Sequence, residues 1–462
     1  MTYKNTHKDL MPASRTARTR AVYTAVAALS LGALSACKSS EILNVNDPDV
    51  LGVAAYSTPA GADALRYGVI GDFAVAYDGS TDAFTVASGD LADEIYTTDT
   101  FDDRLTINAR KSVEVNSAME GLYRNLQQAH IEATTAAAVL AKSVPNNKSQ
   151  RAEMYLIRGF TEIFFGEAWC SGTPFSTQDD AGVHYGKSNS TKDLFTIASA
   201  SFDSALAFAD TSNYIKYGAQ IGKGRALLDL GQFAQAAAAV AGVPRSYQYL
   251  TYHSTATSRE NNGMWSATVN GSTRYSVIDK EGINGLPYLS HDGGTDPRVP
   301  WAPSNRDGFD ALSHNLPNQL KFGRTSSGIV ADGTEAQLII LEARLQGGTQ
   351  ADRDAVFAGL NNLRATNSPA IPPIAGTAPT TQAAAVDQLF TERAYWEWLT
   401  GHRLGDMQRL MRQYGRAADS VFPTGALPGG RAGTYGEGTN IVIPLTEKTN
   451  PNFTGCLASS GF

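Results

Sequence analysis

The chain has 462 residues, 38 basic and 45 acidic side chains, and a formal net charge of −7. That balance excludes binding to nucleic-acid backbones or anionic headgroups by charge, because an acidic protein repels them. The length is ample for a large core and more than one layer, although a helical array of this size can still be one continuous domain.

The first residues point to export. Arg15, Arg18 and Arg20 form a basic stretch, followed by an uncharged Ala/Leu-rich run from Ala21 to Leu34. That run is shorter than the roughly 20 residues a spanning helix needs, so the layout is that of a signal peptide. It ends in Leu34-Ser35-Ala36-Cys37, which resembles a lipobox. Small residues give a signal peptidase access to the backbone, and the Cys37 thiol accepts diacylglycerol as a thioether. Residues 1–36 are therefore expected to be removed, leaving a lipidated Cys37 and a tether over 37–46 with an extended segment at Ile42–Val45. An ordinary signal peptide cut beside a cysteine is the other reading. Residues 1–36 carry five basic groups and one acidic group, so their loss leaves −11. Attachment to a membrane then rests on acyl chains.

The folded body is expected from Asp47 onward. Ala60–Tyr77, Asn116–Lys142, Gln150–Trp169 and Leu194–Asp210 return apolar residues every three or four positions, as one face of a helix requires. Ser190-Thr191-Lys192-Asp193 precedes the last of these like a capping box. Ala219–Leu230 and Phe233–Val240 flank Gly231, with small residues at Gly224 and Ala236. This is the pattern of a tetratricopeptide-type hairpin: small residues where paired helices cross, glycine where the chain reverses. Cys170 and Cys456 remain as a possible pair. In an oxidising compartment a disulfide is the simplest reading; two buried thiols is the alternative, and a two-cysteine zinc site lacks a histidine at ligand spacing beside either.

From Ser246 to Thr334 the texture changes to dispersed Gly, Pro, Asn, Ser and aromatic residues without helical period. It reads as a long irregular insertion. Helical pattern returns at Glu335–Gln346, Asp352–Ala365 and Ala384–Tyr414, with a Pro/Ala/Thr loop at Ser368–Thr380. The tail from Phe422 is Gly-rich, with a strand-like Asn440–Ile443.

Six segments in order resemble the SusD/RagB family. They are Leu122-Tyr123-Arg124-Asn125-Leu126; Arg151-Ala152-Glu153-Met154-Tyr155-Leu156-Ile157-Arg158-Gly159-Phe160 with Phe164-Phe165-Gly166 and the Pro174-Phe175 turn; and Glu342-Ala343 with Leu360-Asn361-Asn362-Leu363-Arg364. Glu392-Arg393, Gly401-His402-Arg403-Leu404-Gly405-Asp406, and Ile443-Pro444 with Asn450-Pro451-Asn452 complete the series. The resemblance covers almost all of the chain after the leader. It implies an all-α fold of tetratricopeptide-like hairpins in an α-α superhelix over 47–462, with a helical core at about 55–245 and 335–415 and a loop-rich ligand region at about 246–334. It further implies a lipid-anchored protein of the outer membrane, facing the exterior. Such a protein captures oligosaccharide or peptide without catalysis and passes it to a SusC-like TonB-dependent transporter. No residue pattern assigns a metal or a cofactor.

Two loop stretches offer the mixture a sugar needs, with aromatic faces for its C–H surface and Asn, Asp or Arg for its hydroxyls. Asp90–Asp103 supplies Glu94, Tyr96, Asp99 and Phe101; Trp265–Arg306 supplies Trp265, Tyr275, Tyr288, Asp292, Trp301, Asn305 and Arg306. Packing within the loops is the competing role for each aromatic. Clustered carboxylates at Asp99–Asp103 and Asp292–Asp296 lack the spacing of a calcium loop and read as turns. Glu392, Arg393, Glu397, His402, Arg403 and Asp406 imitate an acid–base site, but Arg393 with Glu397 and His402 with Asp406 are four apart and read as helix-supporting pairs. Two other functions remain in view: a tetratricopeptide-type scaffold for envelope assembly, and a helical-barrel glycosidase, which needs two carboxylates across a cleft.

Overall fold

A computed structural model describes residues 56–179, 182–270 and 273–457. The leader, Cys37, the tether and the extended segment expected at Ile42–Val45 lie outside the described residues.

Fourteen α-helices among these residues form the body. The first, α1 (Pro59–Asp78), starts where Thr58 accepts from the Gly61 N–H and Pro59 supplies a preset φ. Short helices α2 (Phe84–Leu91) and α3 (Asp102–Asn108) come after it, separated by strand β1 (Ile95–Thr97). Next come the long helices α4 (Ser117–Ser143) and α5 (Lys148–Ala168). The stripe Met119, Leu122, Tyr123, Leu126, Ala129, Ala133, Ala136, Ala137 and Leu140 is buried on one side of α4, which is the helical period predicted for it. Four short strands, β2 (Thr173–Pro174), β3 (Thr177–Asp179), β4 (Gly182–His184) and β5 (Ser188–Asn189), lead into α6 (Thr191–Phe208), whose Ser190 and Asp193 form the expected capping box.

Helices α5, α6, α7 (Asn213–Asp229) and α8 (Phe233–Val240) pack in succession as antiparallel hairpins. Gly231 turns α7 into α8 with φ +71°, a conformation that costs most side chains energy. Phe202 of α6 fits between Gly159 of α5 and Gly222 of α7. A Cβ at those positions would meet its ring at 2.8 and 2.3 Å, so the helices approach this closely only through glycine. Rings of Phe73, Tyr77, Phe84 and Phe164 stack through the core where α1, α2 and α5 meet.

The insertion is pinned at its base. β6 (Gln248–Thr251) pairs antiparallel with β10 (Gly328–Asp332), so the two ends of the loop-rich stretch meet in one ribbon. Between them lie α9 (Gly263–Thr268), β7 (Tyr275–Val277), and a hairpin of β8 (Trp301–Arg306) and β9 (Leu316–Gln319). Their inward residues make a second core from Val86, Ile95, Met264, Tyr275, Tyr288, Phe322, Tyr395 and Trp398. Asp332 then caps α10 (Gly333–Leu345), and α11 (Gln350–Ala365) comes next.

The expected single helix over Ala384–Tyr414 is two. α12 (Gln382–Trp396) ends, residues 397–402 turn, and α13 (Arg403–Tyr414) departs, with α14 (Ala418–Val421) after it. Leu399 and Gly401 have φ of +60° and +75°, and a helix cannot pass through two left-handed residues. Farther on, Asn440–Ile443 contributes only one isolated parallel bridge, Ile441 to Trp169. Cys170 and Cys456 are joined by a disulfide, with Cα atoms 5.6 Å apart, holding the C-terminal segment to the end of α5.

Candidate functional site

The two loop stretches that carry the candidate ligand residues are hydrogen-bonded to each other. β1 pairs antiparallel with β7 in the register Ile95 to Val277, Tyr96 to Ser276 and Thr97 to Tyr275. A frame of buried acids fixes β1 from below: Asp90 accepts from the Thr97 hydroxyl at 2.9 Å, and Asp93 receives Arg403 at 2.7 and 2.9 Å. The ribbon thus holds residues 98–104, the continuation of β1, beside Arg274.

Asp99 organises this surface. Its buried carboxylate accepts from Arg104 at 2.5 Å and from Arg274 at 2.6 Å. Burial opposes its charge, yet hydrogen bonds from Arg104 and Arg274 hold its carboxyl below the usual range. Each arginine also lies over a phenylalanine: Arg104 is 5.5 Å from the Phe101 ring centre, and Arg274 is 3.6 Å from that of Phe309. Both rings remain open to solvent, Phe101 at 43% and Phe309 at 52%. Backbone bonds from Asp310 to Thr98 and from Phe309 to Thr273 tie the Phe309 loop to the same frame, and Arg431 reaches Asp310 at 3.1 Å. Phe309, Arg274 and Arg431 were not singled out by the sequence. A phenylalanine between Gly308 and Asp310 looks like any loop residue until its neighbours are known.

A polar cavity of about 330 Å³ opens near this shelf, lined by Gly79, Ser80, Thr81, Ser258, Arg259, Asn261, Ser266 and Asn270. Asp82, next in sequence, takes the other side of Arg104 at 2.7 Å through both carboxylate oxygens. Asp82 thus links the Gly79–Thr81 wall of the cavity to the arginine behind Phe101.

The other candidates separate into two groups. Tyr275 and Tyr288 are 1% exposed, with hydroxyls donated to Asp82 at 3.0 Å and to Asp93 at 3.1 Å, and Glu94 is fully buried. These three build the second core beneath the loops and present no surface to a ligand. Tyr96 is also buried, on the β1 ribbon. Trp265 is half-buried with Arg324 5.7 Å from its ring, and Trp301 is half-buried with its indole N–H donated to Leu289 O at 2.9 Å. Arg306 donates to the carbonyls of Thr268 and Pro317 and to the Thr273 hydroxyl. It therefore braces the Phe309 loop.

The charged cluster near the α12–α13 turn is an interior network. Arg393 pairs with Asp406 at 2.9 Å instead of Glu397, and His402 meets Arg225 at 2.9 Å and Glu335 at 3.3 Å instead of Asp406. The four-residue spacing lost its meaning when the helix broke. Burial, with Arg225 beside it, pushes the His402 imidazole down to about 4. The carboxylates of Asp292 and Asp296, close to His291, are taken by Arg364 at 3.0 Å and Arg298 at 2.7 Å, and the segment is a turn with φ of +47° at Asp292.

Among solved structures, the chain is similar to a SusD superfamily protein of Bacteroides vulgatus at 14% identity and TM-score 0.61, covering 88% of this chain and 100% of that one. It is also similar to a SusD superfamily protein of Bacteroides fragilis at 13% identity and TM-score 0.63, over 87% and 100% of the two chains. A laminarin-binding SusD-like protein matches at 14% identity and TM-score 0.61, over 87% and 99%. The chain has the SusD-like fold. No protein-family model and no curated protein matches the sequence. Among the described residues no helix is long and apolar enough to cross a membrane.

Within this fold Glu94 has a structural task with a pH signature. Its Oε1 accepts from the Leu399 N–H at 2.8 Å, securing the left-handed turn between α12 and α13, while Oε2 has no partner among the described residues. Burial pushes its carboxyl up to about 8. A carboxyl raised in the folded state favours folding fully below its unfolded pKa near 4.3, and that contribution is lost as pH rises through the folded value. Glu94→Gln keeps the acceptor and removes the titration. The variant is expected to gain about 4 kcal/mol on the wild type between pH 5 and pH 9. Denaturation midpoints at the two pH values measure this, and parallel profiles would show that Glu94 ionises normally.

Proposed function

We propose that this chain is a non-catalytic binding protein that captures an oligosaccharide on the face formed by the Phe101 and Phe309 shelf and the adjoining polar cavity. The observation that carries the reading is the pair of solvent-open rings, each backed by an arginine and locked together through Asp99. Sugar rings present flat C–H faces to aromatic side chains, and a pre-positioned ring loses little freedom on binding. The polar residues nearby supply donors and acceptors for hydroxyl groups. The SusD-like fold and the laminarin-binding protein among its structural neighbours are consistent with this ligand class. A peptide is the other ligand the sequence allows.

Chemistry at three carboxyls raised by full burial is disfavoured by access. Glu94, Glu281 and Asp90 are raised by burial but are 0–2% exposed, so no glycosidic oxygen reaches them. Within the same proposal belong the lipid anchor at Cys37, outer-membrane placement facing the exterior, and handover to a SusC-like TonB-dependent transporter. An affinity pull-down of the lipidated protein from solubilised outer membranes tests the partner. Recovery of envelope-assembly proteins without a barrel would favour the scaffold function instead.

A soluble glycan array tests the ligand. Phe309→Ala and Phe101→Ala are each expected to weaken the best glycan about three- to tenfold, as loss of one stacking contact implies. Tyr252→Ala, which removes a ring 66% exposed elsewhere, is expected to leave affinity unchanged. Binding untouched by both phenylalanine changes would move the site off the shelf.

A further inference from the structure

A second cavity, of about 240 Å³, opens between α3 and the loop over residues 426–434. Leu105 and Ala109 line it from the helix side, and Leu427 and Ala432 from the loop. Both walls are built into the shelf. The Leu105 N–H bonds to Phe101 O at 3.2 Å and the Ala109 N–H to Leu105 O at 2.9 Å. This four-residue ladder places Leu105 about 6 Å along the helix from Phe101. The loop closes on itself where Ala426 bridges Thr434 and the Leu427 N–H bonds to Gly433 O at 3.2 Å. Arg431 then fastens it, donating to the carbonyls of Thr97 and Asp99 and to Asp310 at 3.1 Å. Those carbonyls belong to the stretch that continues into Phe101.

The lining decides what the cavity accepts. Its apolar walls offer a sugar hydroxyl no partner, and burying one there unpaired is costly. Leu105 and Leu427 are half-buried, so each has surface that a ligand can still remove from water. The rim does not select an ion, because Arg431 is paired with Asp310, and Asp102 and Lys111 have opposite signs. Lys111 is exposed, and its ammonium can donate to a carbonyl oxygen. A neutral group with an apolar end and a carbonyl matches both features.

Resting on the oligosaccharide reading above, we infer that this cavity is a subsite for a short acyl substituent, such as acetyl, on the sugar held at Phe101. The methyl lies between Leu105 and Leu427, and the carbonyl oxygen faces Lys111. The protein therefore prefers acylated oligosaccharides to bare ones. An ester on a sugar hydroxyl and an amide on an amino sugar present the same group to the cavity.

The test is a glycan array read with the purified full chain. It carries O-acetylated xylan and glucomannan oligomers beside the same oligomers after mild saponification, and N-acetylglucosamine oligomers beside glucose oligomers of equal length. Within a pair the acetylated member is expected to bind about tenfold more tightly, as one buried methyl and one hydrogen bond imply. The ester pairs and the amide pairs tell the two sources apart. Leu427→Asn, which makes one wall polar, is expected to bring the ratio to about one. Ala432→Leu narrows the cavity from an exposed position and is expected to do the same, should the first variant fold poorly. Phe309→Ala is expected to weaken both members alike and keep the ratio. Equal binding of both members by the wild type, or a ratio unmoved by Ala432→Leu, overturns the subsite and leaves the oligosaccharide reading standing. Binding of no glycan in either form overturns that reading and the subsite with it.

Discussion

Arg409→Met is expected to cost about 3–5 kcal/mol of folding stability, the range for breaking a buried ion pair by removing one partner. Arg409 is 2% exposed and joins three helices. It donates to Glu342 of α10, to Asp406 of α13 at 2.7 Å, and lies 4.0 Å from Asp229 of α7. Methionine fills much of the volume but leaves those carboxylates facing one another in the interior with less positive charge among them. The contrast is Lys448 with Glu114, an exposed pair at 2.8 Å whose loss should cost less than about 1 kcal/mol. Acid gives the second signature. Burial works against the Asp406 charge, but Arg393 and Arg409 hold its carboxyl well below the usual range. A depressed carboxyl contributes stability that is present above its unfolded pKa near 3.9 and lost as pH falls through the folded value. The wild type should therefore lose stability steeply below about pH 4, and Arg409→Met less steeply, because part of that contribution is already gone. Urea midpoints at pH 7 and along the acid limb decide it. A loss under 1 kcal/mol at pH 7 would mean the carboxylates find other partners.

Which parts of this molecule were legible in its sequence depends on where the information sits. Local signals transferred: the Ser190 capping box, the Gly231 reversal and the apolar stripe of α4 all appear where the residues indicate. Helices α2, α3 and α9 were missed because 6–8 residues hold too little period to stand out from loop. The break between α12 and α13 is tertiary in origin. Leu399 is held left-handed by Glu94 from 305 positions away and by Lys321 on the Trp398 carbonyl at 2.5 Å. Only Gly401 hinted at it, and a glycine in a helical pattern is ambiguous. The same limit explains the aromatics. Tyr275 and Phe309 both sit among Gly, Ser, Thr and Asp, but one has Asp82 waiting beneath it and the other has Arg274 behind it. Burial is decided by those partners, and the pairing of β1 with β7 that brings them together joins residues roughly 180 positions apart. Composition marked both loops as candidates; their pairing and the identity of the exposed rings needed the structure.

Cys456→Ser is expected to lower stability by about 4 kcal/mol, toward the upper part of the range for a single crosslink, because the residues it joins are 286 apart. In the chain-entropy account, closing so long a loop removes a large share of the unfolded chain's freedom, and the folded state need not change for the effect to appear. The locality of the folded-state change is a separate expectation. Cys170 lies two residues past the end of α5, Leu457 N–H bonds to Ser171 O at 2.7 Å, and Ile441 flanks Trp169, donating to Ala168 O at 2.7 Å and accepting from the Cys170 N–H at 2.9 Å. The Ile441 bonds do not need the disulfide, so the bridge segment should stay docked while residues near 456 loosen. Hydrogen exchange should then rise at Leu457 and remain slow at Ile441 and across α5. Cys170→Ser should match Cys456→Ser in stability, since either change opens the same loop. A double variant no less stable than either single one completes the cycle. Two singles that differ by several kcal/mol would instead mean that the buried Cys170 side chain matters through packing, since it is 6% exposed against the core. A reductant is expected to reproduce the serine variants, and a wild type unmoved by it would show either that the bridge is inaccessible or that the crosslink contributes little beyond the contacts around it.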